Sequence, residues 1–213
     1  MKKPSGWIHP PYWAEACAEL SARDEVLAEL IAGTDGELLG SHGDPFVTLA
    51  RAIVGQQVSV LAADRLWARL SAALGGSVTP EAVLAADGGV LRSAGLSARK
   101  VEYLHDLAHR LQTGQLHPEA WPAMSDEEVV AELTAVRGIG RWTAEMVLIF
   151  HLLRPDVWPA DDLGLRRALV ARYPIAPPQS LRGWRALGEQ FRPWRTVATW
   201  YLWRSLDPVA VVY

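Results

Sequence analysis

The chain has 213 residues and a mass of 23.4 kDa, is 50% apolar and 21% charged, and has a mean hydropathy of +0.05. That length can bury a sizeable core in one large or two small units, and the composition is that of a soluble globular chain. The longest apolar run, residues 146–153, is broken by His151 and falls far short of a membrane span. No apolar stretch follows Lys2 and Lys3, so no signal peptide is expected. Cys17 is the single cysteine, which excludes an intramolecular disulfide, a cysteine zinc site and a four-cysteine iron–sulfur cluster. A reducing, cytoplasmic setting follows.

The net charge of −3 hides an asymmetry. Residues 1–132 carry 10 basic against 18 acidic side chains, whereas residues 133–213 carry 11 against 6, and all 11 are arginines. Such a split points to a C-terminal part that faces an anion, although arginines also pair or lie solvated on helix faces. Seven of the ten tryptophans, among them Trp142, Trp200 and Trp203, are interleaved with those arginines.

In chain order, almost every segment reads as helix. Residues 11–32 suit one or two helices that end near Gly33. Asp44 before Pro45 is a cap with proline at the first helical position, and Thr79 before Pro80 repeats it. Ser59 caps a segment whose Leu61, Leu66, Leu70 and Leu74 recur at helical spacing until Gly75-Gly76. Ser97 opens a helix with Val101, Leu104, Leu107 and Leu111 on one face, and Gly114 closes it. Ser125 and Glu128 form a capping box. A helix over residues 141–154 is stopped by Pro155, and the last helices span about 163–172, 180–191 and 194–206. Only residues 208–213 read as a weak strand. The predicted fold is all-α.

The most informative stretch is Leu133-Thr-Ala-Val-Arg-Gly-Ile-Gly-Arg-Trp-Thr-Ala144. One helix ends, Gly138-Ile139-Gly140 turns the chain, and another helix begins at once. Two glycines allow a tight turn and leave amide N–H groups free at the positive end of the new helix, an anion site suited to a phosphate. Ile139 plugs the turn into the core. A Gly-x-Gly between helices also serves as a plain αα turn.

The longer pattern resembles the helix–hairpin–helix of the DNA glycosylase superfamily, and within it the AlkA-like 3-methyladenine DNA glycosylase II family. Three further stretches carry the resemblance: Ala52-Ile-Val-Gly-Gln-Gln-Val-Ser59, Gly95-Leu-Ser-Ala-Arg-Lys-Val-Glu-Tyr-Leu104 and Val157-Trp-Pro-Ala-Asp-Asp-Leu-Gly-Leu165. The match runs from about residue 44 to 206. It implies a two-lobed helical bundle with the active site in the cleft between lobes: residues 1–43 as a helical extension packing on the C-terminal lobe, 44–132 as a helical lobe, and 133–213 carrying the hairpin, the acid and the last helices. The resemblance implies a short form, since the long members have an N-terminal α/β lobe for which residues 1–43 leave no room.

The resemblance assigns roles residue by residue. Asp162 is the catalytic carboxylate, stabilising an oxocarbenium-like sugar as the base leaves. From spacing alone, the Asp161-Asp162 pair is also a helix N-cap, and both roles can hold, with Asp161 as the cap or as a support behind Asp162. Trp142 and Trp203 align with pocket tryptophans that attract a cationic alkylated purine. Met146 and Leu163 stand where long members carry aromatic residues, which leaves a plainer, more open pocket. Trp200 is expected to be core only. Gln57 fills the gap left by the flipped base. Gly138, Ile139, Gly140, Arg141, Thr143, Gln57 and Ser59 make the DNA interface. The carbonyls of Thr134, Val136 and Gly138 match those that bind a monovalent cation, Na+ or K+; no other cofactor is expected. His105 and His109, at i and i+4, lack an evident third ligand.

Superfamily members that also cut the strand place a lysine where this chain has Trp142. Only Lys2, Lys3 and Lys100 are present, and Lys100 reads as a core-packing stem or a phosphate contact. The expectation is therefore a monofunctional enzyme acting as a monomer on double-stranded DNA that carries alkylated bases, with no membrane association. It would excise 3-methyladenine and 7-methylguanine, with 1-methyladenine and 3-methylcytosine as further candidates, and leave an abasic site. The alternatives are a non-catalytic helix–hairpin–helix binder or lesion sensor, and a glycosylase for uracil or oxidised bases.

Overall fold

Among the described residues, nine helices begin on a side chain that accepts a backbone N–H of the first turn, a cap that typically contributes about 1 kcal/mol. The capping residues are Asp24, Asp44, Ser59, Thr79, Asp87, Ser97, Ser125, Asp162 and Ser180. The computed structural model describes residues 8–34, 39–41 and 43–206, with backbone only at Val60. In chain order the helices are α1 (Trp13–Arg23), α2 (Glu25–Ala32), α3 (Pro45–Gly55), α4 (Val60–Ala73), α5 (Pro80–Ala85), α6 (Gly88–Ser93), α7 (Ala98–Gln112), α8 (Asp126–Thr134), α9 (Arg141–Phe150), α10 (Leu163–Arg172), α11 (Leu181–Gly188) and α12 (Arg195–Arg204). No strand occurs among the described residues, where one bridge between Ile8 and Ser41 is the β pairing present. The all-α expectation holds there, and the weak strand expected at 208–213 lies outside the described residues.

The chain divides into two units, one built from residues 43–147 and the other from the N-terminal residues up to 41 together with 148–206. In the first, α3 is buried nearly all round, through Phe46, Leu49, Ala50, Ala52, Ile53 and Val54, and packs on α4 and α7. Leu104 and Leu107 of α7 and Leu133 of α8 are fully enclosed. The apolar spacing read in α4 is only partly a core stripe, because Leu66 and Leu70 are buried whereas Leu61 is 61% exposed. In the second unit α12 is the enclosed helix and packs on α1, α2 and α10. The N-terminal helices are tied to later elements of the same unit: Tyr173 donates to Asp24 at 3.0 Å and Trp194 Nε1 to Glu19 at 2.7 Å.

Two element boundaries differ from those expected. Helix α9 ends at Phe150 rather than 154, because Leu153 takes a left-handed conformation (φ 53°) and its carbonyl accepts the Tyr12 hydroxyl at 2.7 Å. The hairpin residues 133–147 belong with residues 43–132, since side chains of that segment hold the turn, as described next.

Candidate active site

The hairpin turn is built around Gly138. Its φ of +83° is one that glycine adopts without strain, and a Cβ there would lie 2.2–2.4 Å from the ring atoms of Tyr103. The middle motif thus supplies, through α7, a flat aromatic seat for the turn. Asp106, one helical turn further on, accepts the Arg137 backbone N–H at 2.9 Å, and Gln56 Nε2 donates to the Gly138 carbonyl at 2.8 Å. Burial pushes the Asp106 carboxyl up, but the bonds from Arg137 N–H and Arg110, with both arginine charges, outweigh it and hold the group below its ordinary value. Ile139 is buried as expected. Gly140 is different: its φ is not positive, and a Cβ there would meet nothing within 4 Å. Helix α9 starts immediately after it, and its first backbone bond runs from Ala144 N–H to Gly140 O. The backbone N–H groups ahead of Ala144 therefore precede the helix's own ladder of acceptors, at the positive end of its dipole.

Beside the hairpin, in the same unit, lies a cavity of ≈ 420 Å³ lined by Ala52, Gly55, Gln56, Gln57, Val58 and Trp142. Gln57 is exposed and held at φ 59°, a left-handed conformation that costs a non-glycine residue about 1–3 kcal/mol. Lys100 donates to the Val54 carbonyl at 2.7 Å and so pins the end of α3 ahead of this loop, a bond beyond the packing stem expected. Ser59 caps α4, accepting from Ala62 N–H at 3.3 Å. Arg141 is paired with Glu127 and, at 3.2 Å, with Glu145, so its charge is already shared between two carboxylates. The Thr143 side chain is 4% exposed and offers a ligand only its backbone N–H.

The acid and its neighbours lie in the second unit. Asp162 itself caps α10: Oδ1 accepts Leu165 N–H at 2.6 Å and Trp203 Nε1–H at 2.8 Å. Of the two roles expected for Asp161, cap or support, the cap falls to Asp162, and Asp161 pairs with Arg166 at 2.8 Å. The Trp203 indole lies parallel to Phe150, with ring centroids 6.0 Å apart and an interplanar angle of 5°. Gly164 leaves room for this arrangement, since a Cβ there would approach Asp162 Oδ1 to 3.1 Å and Trp203 Cδ1 to 3.4 Å. Leu163, next to the acid, is 59% exposed, whereas Met146 is 2% exposed and a core side chain rather than an open pocket wall. Trp200 is buried, as expected.

Sequence reasoning missed Tyr103, Gln56, Asp106, Phe150, Gly164 and Arg166. Tyr103, Gln56 and Gly164 stood inside the recognised motifs without a role; nothing in the linear pattern marks Asp106, Phe150 or Arg166. Among the described residues no three His, Cys, Asp or Glu side chains come together as metal ligands, His105 and His109 included. At the hairpin carbonyls, Val136 O accepts Ile139 N–H at 3.1 Å and Gly138 O accepts Gln56. Each carbonyl oxygen has a second lone pair, so a monovalent cation fits as an additional partner there, with Thr134 as the third carbonyl. No helix among the described residues is long and apolar enough to cross a membrane.

The family model described as "HhH-GPD superfamily base excision DNA repair protein" matches residues 50–182. DNA-3-methyladenine glycosylase 1 of Schizosaccharomyces pombe is 38% identical over 169 residues, covering 76% of this chain and 72% of that protein. DNA-3-methyladenine glycosylase 2 of Escherichia coli is 31% identical over 188 residues, covering 84% of this chain and 64% of that protein. The solved structure of the Schizosaccharomyces pombe 3-methyladenine DNA glycosylase in complex with abasic DNA superposes with a TM-score of 0.79 at 34% identity, over 92% of this chain and 100% of that one. A DNA-3-methyladenine glycosidase from Bacillus halodurans does so with a TM-score of 0.78 at 31% identity, over 94% and 92%. With the Gly138–Gly140 turn and the Asp162 cap both inside the matched region, the chain belongs to the HhH-GPD superfamily of base excision DNA repair proteins.

Proposed function

We propose that this protein is a monofunctional DNA glycosylase that hydrolyses the N-glycosidic bond of alkylated bases in double-stranded DNA, acting as a monomer and leaving an abasic site. The observation that carries the reading is the Asp162 carboxylate, fixed by two N–H donors, the Leu165 amide and the Trp203 indole. As the C1′–N bond breaks, the sugar gains oxocarbenium character, and a fixed carboxylate stabilises that charge without reorganising. Trp203, and Trp142 in its own unit, offer electron-rich faces to a cationic alkylated purine, worth roughly 0.5–2 kcal/mol per good contact. Such a base already has a labile bond, so modest catalytic assistance suffices. Exposed Leu163 presents no aromatic ring beside the acid, which supports a site that also admits 1-methyladenine and 3-methylcytosine.

The hairpin serves the DNA backbone. The amide N–H groups at the start of α9, beside a Gly140 that no contact within the protein requires, suit a closely approaching phosphate. Gln57, displayed in a left-handed conformation, fills the stack that the flipped base leaves. The Thr134, Val136 and Gly138 carbonyls hold a monovalent cation that adds positive charge at the same phosphate. Weaker abasic-DNA binding on replacing K+ with tetramethylammonium at equal ionic strength is the expected outcome.

Strand cleavage through a Schiff base needs an amine. Trp142 stands where the resemblance places that lysine in strand-cutting members, and the Lys100 amine is bonded to Val54 O. Single-turnover base release from duplexes carrying one 3-methyladenine, 7-methylguanine, uracil or 8-oxoguanine tests the activity, with borohydride trapping alongside. Release confined to the alkylated bases, without a trapped adduct, is expected. Binding without release makes the protein a lesion sensor, and an adduct abolished by Lys100→Ala contradicts the monofunctional reading.

A further inference from the structure

The carboxylate of Asp162 points where the preceding peptide aims it, and that peptide is held from one side chain. The chain turns sharply between Trp158 and Asp162, with Ala160 N–H bonded to Trp158 O and Asp162 N–H to Pro159 O, both at 2.8 Å. One turn into α10, Arg166 reaches back over this bend. Its Nε donates to the Ala160 carbonyl at 2.7 Å, its Nη2 donates to Asp161 Oδ1 at 2.8 Å, and its backbone N–H bonds Asp162 O at 3.1 Å. The guanidinium lies over the Trp184 ring, 5.3 Å from its centroid, and Trp184 O accepts Trp158 Nε1–H at 2.9 Å. Trp158, Trp184, Arg166 and Ala160 thus close a ring of contacts around the bend, all within one unit.

We infer that Arg166 is a positioning residue that acts on base excision through Asp162, a role that rests on the glycosylase reading above. The guanidinium makes two charge-assisted bonds in a fixed fork and stacks on an indole, a combination that a lysine cannot reproduce. Asp161 supplies one acceptor of that fork, which gives the first acid of the pair a task distinct from the second. A solvent-accessible ion pair between Arg166 and Asp161 would contribute little stability by itself. Its geometric effect is larger, because displacing a reacting group by about 1 Å costs about 100-fold in rate.

The experiment is a double-mutant cycle on single-turnover release of 7-methylguanine, with wild type, Arg166→Ala, Asp162→Asn and the double variant, and abasic-DNA affinity measured for each. Arg166→Ala is expected to slow release by about 10- to 100-fold in the wild-type background and by less than about 2-fold in the Asp162→Asn background, because groups that act as a unit are non-additive. Abasic-DNA affinity is expected to stay within about 2-fold. Equal losses in both backgrounds, or no loss at all, overturn the inference. Arg166→Lys, which keeps the charge without the fork, substitutes if the alanine variant does not fold; release by it at the wild-type rate also overturns the inference. Absence of release by wild type overturns the glycosylase reading itself, and is told apart because it appears before any substitution is made.

Discussion

At Asp162 two demands fall on one side chain. It caps α10, and it is the acid to which the family resemblance assigns the chemistry. The sequence presents two adjacent aspartates ahead of Leu163, and either satisfies the pattern of a cap. The backbone decides: Asp162 has the extended conformation of a cap residue (φ −68°, ψ 123°), which leaves Asp161 to pair with Arg166. The indole N–H of Trp203 completes the arrangement, and Phe150 behind it holds the ring. Trp203→Phe keeps an aromatic face and removes the donor. A hydrogen bond to a charged group contributes about 1.5–3 kcal/mol to stability, so that variant is expected to melt several degrees lower and, with the carboxylate less firmly held, to release base about tenfold more slowly at a temperature where it is folded. An unchanged release rate would mean that the ring, and not its N–H, is what the site uses. Gly164→Ala presses on the same bond from the other side and should slow release in the same sense.

At the scale of elements, the hairpin separates the roles of two glycines that look alike in the sequence. Gly138 answers to the protein's own structure: its positive φ and the Tyr103 ring exclude a side chain. Gly140 faces open space. Gly138→Ala is therefore expected to lower stability by about 2 kcal/mol or more, whereas Gly140→Ala should fold normally and weaken abasic-DNA binding. Thermal melts and binding titrations on the two variants distinguish these outcomes, and equal melting losses would contradict the division. Asp106 links the same element to pH. Its folded-state pKa lies below the ordinary value, so its stabilisation is fully present above the ordinary aspartate pKa of about 3.9 and is lost as pH falls through the lower folded value. Asp106→Asn should cost about 1–3 kcal/mol at neutral pH, and the gap to wild type should narrow as urea melts are taken progressively below the ordinary aspartate pKa of about 3.9. A gap that stays constant with pH would contradict this. Helix starts were legible because Asp, Ser and Thr caps act locally. The early end of α9 was not, because the Tyr12 hydroxyl on Leu153 O is a tertiary bond that leaves no trace in residues 151–154.

Over the whole molecule, the surplus of arginine after residue 132 is less free than the composition suggests. Arg137, Arg141, Arg166, Arg192 and Arg195 are all engaged by Asp or Glu side chains. These arginines therefore organise the fold, and the phosphate contact proposed for the hairpin relies on backbone N–H groups. The all-α architecture was legible because it rests on spacing, with caps before prolines and apolar residues at helical intervals; the family was legible through four motifs that resemble its own, the stretch around Gly138-Ile139-Gly140 among them. The supports of the site were not, because Tyr103, Asp106 and Phe150 act from positions remote in the chain. The central claim is that Asp162 carries base excision, and the most direct measurement is single-turnover release of 3-methyladenine or 7-methylguanine by wild type and by Asp162→Asn. Asparagine retains the cap, so the variant should melt close to wild type yet release base at least about 100-fold more slowly. Release undiminished in a folded Asp162→Asn variant would contradict the account and move the chemistry to another group.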